Sequence, residues 1–145
     1  MATRHSATTA ITSLVQGIYQ YQFTVTDNNV ATSTATVQVT VNAAPVANAG
    51  TNILINLPTN TTTLTGSGTD ADGTISSYAW TKISGPASSG TIATPNAATT
   101  AINSLVQGVY QYQVTVTDNN GATNTANVKV QVNEAPVENA GTNIY

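Results

Sequence analysis

Six acidic residues, three basic residues and a single histidine, His5, make up the acid–base chemistry near neutral pH in this 145-residue chain. A serine or threonine nucleophile needs a base beside it. His5 sits in a terminal stretch where a second copy of the sequence has Asn96, so a catalytic triad is excluded, and the absence of cysteine removes a thiol nucleophile. Asp70 and Asp72, in TDADG, are the close carboxylate pair. A glycosidase acid must be buried to hold its proton, and this segment has the composition of an exposed turn. No glycine-rich loop leads from a strand into a helix to cradle phosphate. The chain is therefore not expected to be an enzyme. The alternative chemistry for Asp70, Asp72 and Asp118 is a weak calcium site. Calcium takes six to eight oxygens, so three acids with added carbonyls imply a dissociation constant of about 10⁻⁴ to 10⁻³ M. The competing use of the same residues is to cap their own turns through side-chain to backbone hydrogen bonds. No cofactor is required by either use, and calcium would be optional.

The elements that position these carboxylates are strands. Only 6% of the residues are charged, and threonine alone supplies 28 residues, so solubility rests on hydroxyls and amides. β-Branched Thr and Val pack well on a pleated surface and lose side-chain freedom in a helix. The expected fold is all-β. A net charge of −3 without any Lys/Arg cluster lacks the electrostatic footprint that nucleic acid requires, so nucleic acid is not expected as a partner. No apolar run approaches the roughly 20 residues needed to cross a bilayer, which argues against membrane insertion. The start, MATRHSATT, has no signal-peptide hydrophobic region. Without cysteine there is no disulfide framework, and each module must stand on its core alone.

The chain repeats itself. Residues 7–53 match residues 98–144 at a constant offset of 91, with 37 identities in 47 positions and no gap. Shared landmarks are SLVQG at 13–17 and 104–108, VTDNN at 25–29 and 116–120, and NAGTNI at 48–53 and 139–144. Such a period suits one β-sandwich module of about 100 residues and is too long for a solenoid repeat. The phase of the repeat divides the chain into the back half of a module at 1–42, a complete module at 44–133 and a first strand of a following module at 134–145. The joins read VNAAPV and VNEAPV, in which proline keeps its predecessor extended and ends the strand.

Within the complete module, VYQYQVTVTD at 109–118 places Tyr110, Tyr112, Val114 and Val116 on one face and Gln111, Gln113, Thr115 and Thr117 on the other. That alternation marks a strand buried on one side. After DNNG, the stretch 122–133 alternates again, with Ala126, Val128, Val130 and Val132 inward. Asn-Gly between two such runs predicts a hairpin, since both residues tolerate positive φ. The first copy has Val30 in place of Gly121, so its turn must differ or carry strain. Upstream, TTLTGSG at 62–68 and ISSYAWTKI at 75–83 are two further strands around TDADG, with Tyr78 and Trp80 on one face. Strand alternation puts Trp80 in the core and not on a sugar-binding platform. The loops after the second and sixth strands of such a sandwich share a pole, which brings Asp70, Asp72 and Asp118 together beside the linker at Asn42 to Pro45.

Taken in order, PVANAG, LTGSGTDADGTISSYAW, KISGP and GVYQYQVTVTDNNGA resemble the polycystic kidney disease (PKD) domain, in its PKD/chitinase-associated and REJ-like branch. The resemblance covers residues 44–133 and most of the flanking half-module. The WDFGDG segment of other PKD domains is replaced by YAWTKISGP, which assigns the chain to a branch of the family. The resemblance implies an immunoglobulin-like, seven-stranded β-sandwich. Such domains occur in bacterial secreted enzymes and adhesins and in animal surface receptors, as a spacer, stalk or protein-contact module.

Residues 1–42 provide only closing strands, so Tyr19, Tyr21, Phe23 and Val25 lack an opposing sheet within that half. An apolar face of this kind does not stay bare in a well-behaved monomer. Identical chains or neighbouring repeats are the expected partners, through strand exchange or end-to-end packing into a filament. The expected role is a structural or adhesive repeat of a long extracellular or cell-surface protein, with a bacterial origin favoured by low charge and near-identical repeats. The alternative is a carbohydrate-binding or spacer module of a secreted hydrolase. A surface glycan or protein is then the ligand. A third, remote reading is a receptor ectodomain, for which Asn60-Thr61-Thr62 supplies a glycosylation sequon.

Overall fold

A computed structural model describes residues 6–144, so His5 and Tyr145 lie outside the described range. The chain divides into two compact units, Met1–Ala43 and Ala44–Tyr145. Among the described residues the regular structure is β throughout.

Unit 1 holds one antiparallel hairpin of β1 (Gly17–Thr26) and β2 (Thr32–Val41), paired from Gly17↔Val41 to Thr26↔Thr32. Unit 2 contains β3 (Val46–Asn48), β4 (Ile53–Asn56), β5 (Thr62–Thr65), β6 (Ser67–Thr69), β7 (Ile75–Ser84), β8 (Thr91–Ile92), β9 (Thr99–Asn103), β10 (Gly108–Asp118) and β11 (Thr123–Asn133). One layer of unit 2 has the order β4-β11-β10-β7, with β4 parallel to β11 and the other neighbours antiparallel. The facing strands are β5-β9-β8 and the pair β3-β6. The result is a β-sandwich.

The expected seven strands are nine segments among the described residues of unit 2. The excess over seven comes from two interruptions. Gly50, at φ 79°, breaks the run between β3 and β4. Gly66 separates β5 from β6: its N–H bonds Ala98 O at 2.8 Å at the end of the β5–β9 pairing, and from Ser67 the chain pairs with β3 instead. A side chain at Gly66 would meet the Trp80 ring at 2.9 Å and Ala98 O at 3.1 Å. Glycine there lets the backbone lie against the central aromatic.

Alternation in β10 decides the core. Tyr110, Tyr112, Val114 and Val116 are fully buried, and Val128, Val130 and Val132 of β11 join them with Leu64, Trp80, Ile102 and Leu105. Trp80 is 2% exposed and donates its indole N–H to Ala98 O at 3.1 Å, so its hydrogen-bonding edge is satisfied inside the protein.

The β1–β2 hairpin reproduces the β10–β11 pairing shifted by 91 residues, from Gly108↔Val132 to Thr117↔Thr123. Local geometry repeats with it. Ser13 and Ser104 adopt φ 59° and 57°. The Tyr19 hydroxyl donates to Val15 O at 3.0 Å and accepts from Val15 N at 3.1 Å, as Tyr110 does with Val106 at 3.0 Å each. The turns also match, with Asp27 N to Ala31 O at 2.9 Å and Asp118 N to Ala122 O at 3.0 Å. Val30 therefore takes the conformation of Gly121, at φ 68° against 88°. The turn keeps its shape and carries strain, because a β-branched residue in the left-handed region clashes with its own backbone. Replacing Val30 by Gly is expected to stabilise the β1–β2 hairpin by about 1 kcal/mol or more, read as slower amide exchange across residues 17–41. Unchanged or faster exchange would show that the turn is unstrained.

Candidate functional site

The acidic pole of unit 2 is built from two loops. Residues 70–74 connect β6 to β7, and residues 118–122 connect β10 to β11. They are tied by Asn119, whose N–H donates to Thr74 O at 2.9 Å and whose Oδ1 accepts from Thr74 N at 2.8 Å. Ser76 adds a hydroxyl bond to Asp118 O at 2.7 Å. Gly73 lies under this junction, where a side chain would meet the Asn119 carboxamide and Asp70 Oδ2. Nearby, Asn124 Nδ2 donates to Pro45 O at 2.9 Å, fixing the start of unit 2 to β11.

Asp118 is 1% exposed. Its Oδ1 accepts from the N–H groups of Asn120 and Ala122, both at 2.8 Å. Asp27, which is exposed, makes the same two bonds to Asn29 and Ala31 at 2.8 Å. The cap thus forms from the VTDNN sequence alone, without neighbouring carboxylates, and turn capping accounts for the acid at 118.

Asp70 differs. Both of its carboxylate oxygens are enclosed and neither receives a hydrogen bond of good geometry, although the Asp72 amide and carboxyl lie close by. Its pKa is raised above the ordinary 3.8, first by desolvation, then by the carboxyl of Asp72, with which it can share a bond only when one of the two is protonated. The Asp72 backbone amide opposes the shift, and the negative charges of Asp72 and Asp118 add to it. The structure therefore brings the three sequence-selected acids within electrostatic reach of one another. Among the described residues, however, no group of three His, Cys, Asp or Glu side chains is arranged to hold a metal ion.

A second polar cluster was not singled out from the sequence. Lys82 Nζ donates to Pro86 O at 2.6 Å and Ser89 O at 2.7 Å and lies 5.1 Å from the centre of the Tyr110 ring. Ser89 Oγ and the Tyr110 hydroxyl are 2.9 Å apart, while the Tyr112 hydroxyl donates to Gly90 O at 2.8 Å. Burial, with the neighbouring Tyr110, pushes the Tyr112 phenol well above its ordinary pKa. The signal was available in KISGP beside YQY: a lysine and a serine flanking a tight turn can close over two inward tyrosines. The cluster anchors the 85–90 turn and presents no open nucleophile.

A profile of the K319L-like PKD domain matches residues 1–41 and 49–132. The mouse dyslexia-associated protein KIAA0319-like protein is 38% identical over 142 residues, covering 90% of this chain and 13% of the relative. Mouse low-density lipoprotein receptor-related protein 11 is 35% identical over 97 residues, or 67% of this chain and 20% of that protein. The solution structure of the PKD domain from KIAA 1837 protein superposes with a TM-score of 0.59 at 30% identity, covering 71% of this chain and all of that domain. The PKD domain of human KIAA0319 gives 0.56 at 27% identity, covering 68% and 89%. The chain belongs to the K319L-like PKD domain family. The two curated relatives are from mouse and the KIAA0319 domain is human, whereas the sequence had suggested a bacterial surface protein of the REJ-like branch; the family holds and the finer placement does not follow from it. The chain spans only about an eighth of the KIAA0319-type relatives.

Because folding raises the Asp70 pKa from 3.8, the folded state binds a proton more tightly than the unfolded chain. Stability therefore falls as pH rises through the interval just above 3.8 and is flat once both states are ionised. Thermal melts of the Asp70→Asn variant are expected to lack that fall and to exceed wild type at pH 7. A variant that is less stable at pH 7 would mean that the carboxylate is held by a favourable contact.

Proposed function

We propose that this chain is a non-catalytic repeat module of a long extracellular or cell-surface protein, in which sandwiches of about 91-residue period stand in series and act as a spacer or adhesive stalk. The observation that carries this reading is the duplicated hairpin: the same residues fold in the same register at 17–41 and 108–132, which suits an array of like units. Family membership supports a module whose role is to hold or present, and the printed name of one relative, a receptor-related protein, supports an extracellular setting. A core filled by Trp80, Tyr110 and Tyr112 leaves these aromatics unavailable as a sugar platform, which weighs against the hydrolase-accessory alternative.

Electron microscopy of the natural protein, with light scattering at neutral pH, tests the role. Extended strings or regular fibres are expected. A dispersed compact monomer that binds a defined oligosaccharide on a glycan array would replace the spacer reading with the carbohydrate-binding one.

Calcium forms a second element of the proposal, favoured by one observation: the enclosed oxygens of Asp70, which lack a well-aligned donor. Asp72 and solvent would complete the shell, giving affinity of about 10⁻⁴ to 10⁻³ M. Isothermal titration at millimolar calcium is expected to give heat that Asp70→Asn abolishes. No heat in the wild-type chain, or heat retained in the variant, removes calcium from the account.

A further inference from the structure

The two hairpins share sequence, register and turn geometry, yet their inner faces have opposite fates. Tyr110, Tyr112, Val114 and Val116 are each 0% exposed, whereas Phe23 and Val25 are each 49% exposed and Val37 is 57% exposed. Tyr19 and Tyr21 are half-buried. In unit 2 the inner face packs with Leu64 of β5, Ile102 of β9, Leu105 and Trp80 in one buried cluster. At the offset of 91, Ile11 and Leu14 correspond to Ile102 and Leu105, but nothing in unit 1 corresponds to Leu64 or Trp80. The edge differs too. The outer edge of β10 pairs with β7 from Gln111↔Ser84 to Asp118↔Ile75, while among the described residues β1 pairs with β2 alone.

We propose that the β1–β2 hairpin is an acceptor surface for one kind of partner, a polypeptide segment with the pattern of residues 44–97, which adds a β7-like strand to the edge of β1 and lays a β5-like strand over its apolar face. The register follows from the duplicate. Val114 opposes Trp80 and Thr115 opposes Ala79 in unit 2, so Phe23 opposes the donor's tryptophan and Thr24 opposes the residue before it. The chemistry matches on both counts: open backbone groups on β1 take a new strand, and the apolar stripe takes a leucine and an indole. A second identical copy is a poor source of this segment. Its own residues 44–97 already cover β10–β11, and lending them would uncover as much apolar face as it covered. The occupant is therefore a further segment of this pattern without a hairpin of its own. The inference stands on the duplicated sequence and holds or falls independently of the spacer role.

The test joins an additional copy of residues 44–97 directly ahead of Ala7 in the full chain, since Ala7 corresponds to Ala98. Amide exchange in residues 17–26 and 32–41 is expected to slow at least 100-fold, while β10 and β11 serve as the internal measure that unit 2 remains folded. In the extended chain, T24C is expected to form a disulfide with A79C of the added copy, and T26C is not. Unchanged exchange in β1 and β2, with unit 2 intact, overturns the proposal. So does cross-linking of T26C in preference to T24C, which rejects the register. Concentration-dependent dimerisation of the original 145-residue chain that protects β1 and β2 to the same degree would assign the face to a second copy and overturn it as well.

Discussion

The constraint on which the molecule depends is that a pleated strand with two tyrosines and two valines on one face must have a second layer against it. β10 meets this requirement with Leu64 of β5 and Ile102 of β9 from the opposite layer, and Trp80 of the neighbouring β7 widens the same apolar face, all within one buried cluster. Other features serve that packing. Gly66 is bare because the Trp80 ring lies against it. The 85–90 turn is drawn in by Lys82 and Ser89 so that Gly90 O meets the Tyr112 hydroxyl, since a buried phenol without a partner costs about 1–3 kcal/mol. With only 6% of residues charged, ion pairing contributes little, and satisfied hydroxyls and amides take its place.

The duplication separates what local sequence determines from what packing determines. Turn shape, the aspartate cap, the positive φ before the strand and the tyrosine bond back to its own loop occur in both copies. All of these span five residues or fewer and need no second layer. Burial is the property that fails to repeat, because it depends on residues about 30 to 50 positions upstream of the strand they cover. Asp27 and Asp118 show the difference in one residue type: identical bonds, one carboxylate exposed and the other enclosed.

The same division explains what could be read from the sequence. Period-two alternation located β7, β10 and β11 and their inward faces, and the inward placement of Trp80 followed from strand parity. The splitting of strands at Gly50 and Gly66 was not legible, since it arises from a left-handed residue in one case and from close approach to a side chain distant in sequence in the other. At the acidic pole the sequence identified Asp70, Asp72 and Asp118 as neighbours. It could not say that Asp118 is committed to its own turn while Asp70 lacks a well-aligned donor, because that distinction lies in which loop closes over which carboxylate. The Lys82–Tyr110 contact was missed for a related reason: a turn must first fold back before the lysine reaches the ring.

One hairpin sequence is part of the core in unit 2 and an exposed face in unit 1. Residue-resolved amide hydrogen exchange of the unmodified 145-residue chain measures this difference most directly. An isolated two-stranded ribbon is marginally stable in water, so exchange in β1 and β2 is expected to be faster than in β10 and β11 by two orders of magnitude or more. Equal protection of the two hairpins would contradict it, for it would mean that the first face already has a cover.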